Sequence, residues 1–225
     1  MLTRTLEPEV MDTAREARDY DAMDHSEVNR RFVDDLLAEW SPDEPSPASV
    51  LDVGAGTALI PIELACRGRP VRITAIDLAE EMLKLGSRNV AAAGLDAVIK
   101  LECVDAKSLP YRDATFDAVI SNSIVHHIPE PDAVVAEMLR VLKPNGLLFL
   151  RDLLRPDTTD EVERLVLTYA GDDNSHQQQL FRQSLHAALT VSEIRELIVA
   201  AGLGDSGVRQ TSDRHWTVST RKPNA

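Results

Sequence analysis

Several features are scarce in this sequence. Aromatic side chains make up only 4% of its 225 residues, and basic side chains number 24 against 37 acidic ones. The resulting net charge of −13 opposes binding to a polyanion such as DNA or RNA. No apolar run approaches the roughly 18 residues of a membrane-spanning helix. We therefore expect neither a nucleic-acid nor a membrane partner, and a binding site that does not depend mainly on ring stacking.

Cysteine is also scarce. Cys66 and Cys103 are the two cysteines, and they show neither Cys-x-x-Cys nor Cys/His ligand spacing. Each falls within an apolar helix or strand pattern, so we expect two buried thiols in a reducing compartment. Residues 1–12 are polar and mixed in charge. Together these observations predict a cytoplasmic protein, and no pattern indicates an oligomeric state.

The hydrophobic pattern predicts an α/β protein. From residue 48 onward, short apolar strands alternate with helical patterns, which is typical of a parallel sheet with crossover helices. Thr190 and Glu193 have the spacing of a capping box that begins a late helix. Strands are predicted near residues 49–53, 71–76, 98–102, 117–122, 147–151, 206–211 and 215–220.

Breaks in this pattern divide the chain into four parts. A helical pattern over residues 8–40 ends at a proline-rich segment, 41–47, that cannot continue a helix. Later, two predicted helices around 160–170 and 176–188 interrupt the alternation, as an inserted lid would. We therefore expect an N-terminal helical cap (1–47), an α/β core (48–152), a helical lid insertion (153–190), and a final helix and strand pair (191–225).

The most informative segment begins at Val50, where an apolar strand carrying Asp52 enters a Gly54-x-Gly56 turn and then a helix. Glycines let the backbone approach a ligand closely. A dinucleotide would present its pyrophosphate to this turn, where Asp52 would repel it, whereas S-adenosylmethionine (SAM) presents a sulfonium and an ammonium that a carboxylate attracts. The third glycine of a dinucleotide fingerprint is replaced by Leu59. The residues favour SAM and oppose an NAD-dependent oxidoreductase.

Further motifs follow the other strands, and the five segments 50–56, 74–77, 103–106, 116–122 and 140–147 form a pattern. With this pattern the chain resembles the class I SAM-dependent methyltransferases, and within them the ubiquinone and menaquinone biosynthesis methyltransferases. The resemblance implies a Rossmann-like doubly wound sheet of seven strands, mostly parallel with the last strand antiparallel. It also implies that SAM is the cofactor, that S-adenosyl-L-homocysteine is the product, and that no metal is needed. Ala58 departs from the family's glycine, and we expect this small side chain to be tolerated.

The resemblance implies roles for three aspartates. Asp52 faces the methionine ammonium, Asp77 accepts hydrogen bonds from both ribose hydroxyls, and Asp105 contacts the adenine amino group. Asp77 could instead cap the next helix, and Asp105 could be a solvated turn residue. Met82 suits core packing as well as adenine contact. The predicted cofactor-binding residues are Asp52, Gly54, Ala55, Gly56, Asp77, Leu78, Met82, Asp105, Ala106 and Asn122.

Residues that follow the fourth and fifth strands should line the acceptor site. The catalytic candidates there are His126, His127, Arg151 and Arg155. A neutral imidazole could take a proton from a phenol or alcohol, whereas a guanidinium could orient a carboxylate, which arrives ionised. Alternatively, the histidines are structural, and Arg151 pairs with Asp152 or with an acidic residue of the cap. Adjacent histidines are not the i, i+4 ligand pair of a metal-binding helix, so no metal is expected.

Side chains of the cap and the lid are candidates for closing over a substrate. They are Tyr20 and His25 on the cap, and Tyr169 and His176 on the lid. The hypothesis is a SAM-dependent O-methyltransferase whose acceptor is a small acidic molecule, expected to be aromatic, with a carboxylate slightly favoured over a phenol. The alternatives are a C- or N-methyltransferase of a quinone precursor or other metabolite, and a SAM-binding partner protein without catalytic activity.

Overall fold

The computed structural model describes residues 2–7, 13–23, 25–40 and 47–224 of the chain. The predicted helix start at residue 8 and most of the proline-rich break lie outside the described residues. Within them, no helix combines the length and the apolar character that crossing a bilayer demands.

Seven strands in the described part of the chain form one sheet: β1 (Ala48–Val53), β2 (Val71–Asp77), β3 (Ile99–Cys103), β4 (Phe116–Asn122), β5 (Leu142–Leu153), β6 (Val208–Gln210) and β7 (His215–Arg221). Their order across the sheet is β3-β2-β1-β4-β5-β7-β6. The first five strands are parallel, whereas β7 runs antiparallel to both β5 and β6. This topology confirms the predicted doubly wound sheet with an antiparallel last strand.

Helices surround this sheet, and they are α1 (Ala14–Asp21), α2 (Ser26–Glu39), α3 (Leu59–Ala65), α4 (Glu80–Ala92), α5 (Asp132–Val141), α6 (Thr159–Tyr169), α7 (Ser175–Ala187) and α8 (Val191–Ala200). Successive strand residues point to opposite faces. On β1, Leu51 therefore belongs to the core beneath α5 and α8, and Val50 to the core beneath α2, α3 and α4. Burial on both faces explains why the strands are nearly continuous apolar runs.

Within residues 13–23 and 25–40, the predicted helical pattern contains two helices. α1 ends at Asp21, and α2 begins at Ser26. The two helices pack on different partners: Ala17 of α1 contacts Met82 and its neighbours on α4, whereas Phe32 of α2 lies in the core against α3. A break between them lets the cap reach both surfaces.

The expectation of buried thiols is wrong, because both cysteines are exposed. Cys66 follows the last residue of α3, beyond the apolar face of that helix. Cys103 is the last residue of β3, which is an edge strand of the sheet. The apolar neighbours of the cysteines in the sequence did not reveal that Cys66 lies just beyond α3 and that Cys103 ends β3.

The two helices predicted between residues 153 and 190 are α6 and α7. The hydroxyl of Thr158 caps α6, and Asn174 and Gln177 form a capping box on α7. The two helices pack on each other around a small apolar cluster of their own, which includes Val162 and Leu185. The predicted capping box of Thr190 and Glu193 begins α8 and is confirmed.

Candidate functional site

A cleft opens at the carboxyl ends of β1, β2 and β4, where open α/β sheets bind their ligands. It encloses about 840 Å³, its open mouth included. It is lined by the glycine-rich turn and the ends of β2 and β3, and also by the turn after β4, where Ser123, His127 and Ile128 lie and where the acceptor site was predicted. A smaller pocket beside it holds Asp52 and shares Tyr20 and Asn122 with the cleft.

The glycine-rich turn is held by hydrogen bonds to the end of β2. The backbone N–H groups of Gly54 and Ala55 donate to the carbonyl oxygen of Ile76, at 2.8 and 2.9 Å. Gly54 and Gly56 have φ angles of +75° and +54°, and Ala58 has a φ angle of +65° with its side chain fully buried. The turn therefore places an alanine in the left-handed region, which costs roughly 1–2 kcal/mol. Alanine in place of the family's glycine at position 58 is therefore accommodated, but at a higher conformational free-energy cost than the small size of its side chain suggested.

Gly54 is required by a close contact as well as by its φ angle. An added Cβ would lie 2.4 Å from Cδ1 of Ile124, whereas nothing lies within 4 Å of a Cβ added at Gly68, whose φ angle is +69°. We expect Gly54→Ala to lower the free energy of unfolding by roughly 2–4 kcal/mol, and Gly68→Ala by about 1 kcal/mol. Urea denaturation of both variants measures the difference. Equal losses would show that the Ile124 contact contributes nothing.

Asp52 lies on β1 and is 2% exposed. Its Oδ2 atom accepts no hydrogen bond from the described residues. Burial, assisted by the negative charge of Asp77, raises the pKa of the Asp52 carboxyl to about 8. A buried carboxylate without a partner is costly. Its position therefore suits a cationic group that enters the pocket and restores the missing partner.

Asp77 and Asp105 both line the cleft. The Asp77 carboxylate accepts the N–H of Gly56 on Oδ2 at 2.8 Å and the N–H of Ala79 on Oδ1 at 2.9 Å. It therefore positions the glycine-rich turn and the entry to α4, as well as facing the cleft. Asp105 accepts the N–H of Lys107 at 2.9 Å. Asp77 is not the N-cap of α4, whose N-cap position is Ala79 without a side-chain cap, whereas Asp105 accepts a turn hydrogen bond, as its structural alternative allowed.

The other predicted cofactor residues also meet at this end. Asn122 ends β4 at the boundary between the cleft and the smaller pocket, and its Oδ1 atom is buried without a hydrogen bond from the described residues. The same holds for Oγ1 of Thr57, which the sequence analysis missed. The remaining predicted residues line one or other of the two pockets; they are Gly54, Ala55, Gly56, Leu78, Met82 and Ala106.

The two histidines occupy different positions. His127 lines the cleft, whereas His126 is 3% exposed and lies behind it. Nδ1 of His126 is 2.5 Å from Oδ1 of Asp152, which also accepts the His126 backbone N–H on Oδ2. Burial alone would lower the pKa of His126. The carboxylates of Asp152 and Glu7 have the larger combined effect, so the pKa of His126 is raised above its ordinary value. The structure therefore does not bring His126 to the acceptor.

Neither predicted arginine lies at the cleft, which corrects the expectation that they line its mouth. Arg151 is buried and donates to Oδ2 of Asp35 on α2 at 2.5 Å and to Oγ1 of Thr217 at 2.9 Å. Arg155 is also buried and donates to Oε1 of Glu193 at 2.6 Å. Arg151 thus pairs with an acidic residue of the cap, as its structural alternative proposed.

Some of the predicted substrate-binding residues lie at the cleft and others lie away from it. Tyr20 lines the cleft, and its ring centroid is 4.5 Å from that of His25, whose Nε2 atom is 3.0 Å from the Tyr20 carbonyl oxygen. Burial, with nearby carboxylates, raises the pKa of Tyr20 to about 12. Tyr169 instead donates to Asp213, and His176 lies exposed in the first turn of α7. The two lid residues are not at the cleft, because α6 faces the β6–β7 turn.

Among the described residues, Glu7, His126 and His127 form a group that could hold a metal ion, with one ligand atom of each within 4.8 Å of the others. Sequence reasoning missed Glu7, because it precedes the histidines by more than a hundred residues and belongs to no motif. The N-terminal segment brings it there: the Thr5 N–H donates to the carbonyl oxygen of His186 on α7 at 3.0 Å.

Comparison with known proteins gives a consistent result. Residues 51–150 match the family described as a methyltransferase domain. A malonyl-[acyl-carrier protein] O-methyltransferase of Geobacter sulfurreducens is 35% identical over 133 residues, which are 59% of this chain and 48% of that protein. A demethylmenaquinone methyltransferase of Desulfitobacterium hafniense is 34% identical over 109 residues, 48% of this chain and 43% of that protein. The chain spans about half the length of these curated relatives.

Solved structures show the same fold. A SAM-dependent methyltransferase from Aquifex aeolicus has a TM-score of 0.65 at 20% sequence identity, with 93% of this chain and 98% of that chain covered. Phosphoethanolamine N-methyltransferase 2 of Haemonchus contortus, in complex with SAM, has a TM-score of 0.71 at 16% identity, with 94% of this chain and 58% of that chain covered.

Proposed function

We propose that this chain, whose residues 51–150 match the methyltransferase-domain family, is a class I SAM-dependent methyltransferase that binds SAM and transfers its methyl group to an oxygen atom of a small molecule. Bound SAM supplies a methyl group that its sulfonium already activates. The chain's contribution is then to position the two reactants and to exclude water, which can supply up to roughly 7–11 kcal/mol of the barrier reduction.

The observation that carries this proposal is the unpartnered carboxylate oxygen of Asp52. A buried acceptor whose pKa is raised to about 8 fits the ammonium of the methionine moiety, because a charge-assisted hydrogen bond would offset its desolvation. Asn122 Oδ1 and Thr57 Oγ1 are further unsatisfied atoms in the same pocket. This end of the cleft therefore fits the amino-acid part of SAM.

The nucleoside part of SAM fits the cleft itself. Asp77 faces it from the end of β2, and Asp105 from the loop after β3. Leu78 and Met82 also line the cleft and supply apolar surface. Leu78 is 40% exposed, so its side chain is accessible to an adenine ring that enters the cleft. We assign ribose binding to Asp77 and adenine binding to Asp105, on the strength of these positions and the family resemblance.

We expect Asp77→Ala to weaken SAM binding at least tenfold, through loss of the ribose contact and of the bond to the Gly56 N–H. Isothermal titration with SAM measures the affinity. Asp117→Ala is a matched control, because Asp117 also accepts a backbone N–H at 2.8 Å, from Ser49, but lies outside the cleft. Unchanged affinity in Asp77→Ala, with both variants folded, would contradict the ribose assignment.

The acceptor end favours a hydroxyl over a carboxylate. Arginine capture of a carboxylate has lost its support, since Arg151 and Arg155 are engaged in ion pairs away from the cleft. His127, Ser123 and Tyr20 lie at the cleft instead, and these side chains hydrogen-bond a neutral hydroxyl without needing a countercharge. We therefore place a phenol or alcohol ahead of an acid.

Mass spectrometry of the purified chain with SAM tests the proposal. The panel contains matched phenols, aromatic acids, quinone precursors and small amines, and each product is scored for a methyl gain. Methyl ethers support an oxygen acceptor of the hydroxyl type, whereas esters, N-methyl or C-methyl products reassign it. Saturable SAM binding with no product from any class would instead favour a non-catalytic SAM-binding partner.

A further inference from the structure

We propose that Glu7, His126 and His127 form a binding site for a divalent transition-metal cation of the zinc type, at the acceptor end of the cleft. The site goes beyond the proposed methyl transfer and does not rest on it, because none of its donor atoms belongs to the SAM end. It also departs from the expectation that a pair of adjacent histidines holds no metal.

The two separations from Glu7 are close to those that such a cation requires, and all three donor atoms lie within 4.8 Å of one another. Oε1 of Glu7 is 3.4 Å from Nε2 of His126 and 3.2 Å from Nδ1 of His127. Ligands bound tetrahedrally at about 2.0–2.2 Å from zinc are roughly 3.3–3.5 Å apart. Oε1 of Glu7 is buried and accepts no hydrogen bond of good geometry in the described part of the chain. The Glu7 carboxylate therefore faces both imidazoles within ion-pair distance.

Two of the ligands are oriented by outer partners. Asp152 Oδ1 holds Nδ1 of His126 at 2.5 Å, which leaves Nε2 to face Glu7. The hydroxyl of Ser184 on α7 donates to Oε2 of Glu7 at 3.2 Å, which leaves Oε1 to face the histidines. Metal-bound histidines and carboxylates characteristically have such partners, which fix the tautomer and the ring orientation.

The arrangement of adjacent histidines follows from the 3₁₀ turn of residues Val125–His127. This turn brings the two rings side by side, with centroids 4.1 Å apart and an interplanar angle of 34°. An α-helix brings histidines together at i and i+4, but here a tighter turn and a carboxylate from a distant segment supply the set. Two imidazoles with one carboxylate suit zinc, cobalt or iron rather than magnesium or calcium.

The local charge favours a cation. Glu7 and Asp152 contribute two carboxylates, whose side chains are 7% and 1% exposed. Against them stands one guanidinium, that of Arg4, which donates to the carbonyl oxygens of His126 and Ile128. When a cation replaces any proton on the imidazoles, the two carboxylates outnumber the one guanidinium in a buried setting, where charge interactions are stronger than in water.

His127 connects this cluster to the substrate. It lines the cleft, and its side chain is 16% exposed, so a cation held by the three residues has an entry path from that side. Three protein ligands leave one coordination position open, as catalytic zinc sites do. An oxygen-bearing molecule that enters through the cleft could complete the coordination.

Metal binding by the untagged chain tests the proposal without SAM or methyl transfer. Chelator-treated protein is titrated with Co²⁺, followed by its visible absorption, and then with Zn²⁺ as competitor. We expect one equivalent of Co²⁺ to bind saturably and Zn²⁺ to displace it. Glu7→Gln and His127→Asn should each weaken Co²⁺ binding at least tenfold, and Asp152→Asn 10- to 100-fold.

His176→Asn is the control, because His176 is exposed on α7 and should leave the Co²⁺ affinity unchanged. Circular dichroism checks that each variant is folded, and Glu7→Gln and His127→Asn decide the question if Asp152→Asn is not. The proposal is overturned by the absence of saturable Co²⁺ binding, or by wild-type affinity in either decisive variant.

Discussion

Replacing Asp52 by asparagine is expected to weaken SAM binding roughly 100-fold and, at the same time, to raise the melting temperature of the ligand-free chain. The first effect follows from loss of a charge-assisted hydrogen bond to the ammonium, worth about 1.5–3 kcal/mol. The rise in melting temperature follows because asparagine cannot ionise, so the variant has no buried carboxyl whose charged form is destabilised by its surroundings. Titration calorimetry and thermal denaturation measure the two effects on one protein preparation.

The pH dependence of the second effect has a definite sign. The pKa of Asp52 is raised to about 8 in the folded chain from an ordinary value of 3.8. The stabilising contribution of the protonated carboxyl is therefore complete below about pH 4 and is lost as pH rises through 8. The difference in melting temperature between Asp52→Asn and the wild type should widen from pH 5 to pH 8.5. A constant difference would contradict the raised pKa.

The same ionisation predicts the pH dependence of binding. A cationic ligand competes with the proton on Asp52, so the SAM affinity of the wild type should rise between pH 5.5 and 7, approaching tenfold per pH unit. The affinity of Asp52→Asn should change much less over that range. Equal slopes for the two proteins would place the ammonium on another group.

The grouping of the predicted cofactor residues around the cleft was predictable from sequence, because each lies at the end of a strand of the parallel sheet or just after it. Asp52 lies near the end of β1, the turn with Gly54 follows β1, and the loop with Asp105 follows β3. Parallel strands end on the same edge of the sheet. Spacing along the chain therefore determined proximity in space. The alternation of apolar strands and helices determined the sheet in the same way, since burial on both faces leaves a strong pattern.

The acceptor end was less predictable because it depends on segments that are distant in sequence. Nothing around Glu7 indicates that the N-terminal segment reaches the histidines, and its arrival depends on contacts with α7. Arg151 was misplaced for a related reason: β5 extends to Leu153, so Arg151 lies within the strand rather than after it, and its partner Asp35 belongs to the cap. The structure does not place Tyr169 and His176 at the cleft, because the direction in which α6 and α7 pack is set by tertiary contacts.

Arg151 should accordingly behave as a structural residue, and Arg151→Ala is expected to lower the free energy of unfolding by about 3 kcal/mol. Its guanidinium lies 5.7 and 5.9 Å from the ring centroids of Phe32 and Phe149, so the variant loses packing as well as the bonds to Asp35 and Thr217. The melting temperature should fall by roughly 6–12 °C, while the affinity for SAM and the KM for a methyl acceptor stay within twofold of wild type.

Arg209→Ala supplies the matched control. Arg209 also pairs with an acidic residue of α2, Glu39 at 3.0 Å, but both side chains are 44% exposed, and such pairs contribute only about 0–1 kcal/mol. A large loss of stability in Arg151→Ala, but not in Arg209→Ala, would mean that the contact between cap and sheet is stabilising because it is buried. The ion pair itself would then contribute little. A raised acceptor KM with an unchanged melting temperature would instead return Arg151 to the substrate site and restore the carboxylate hypothesis.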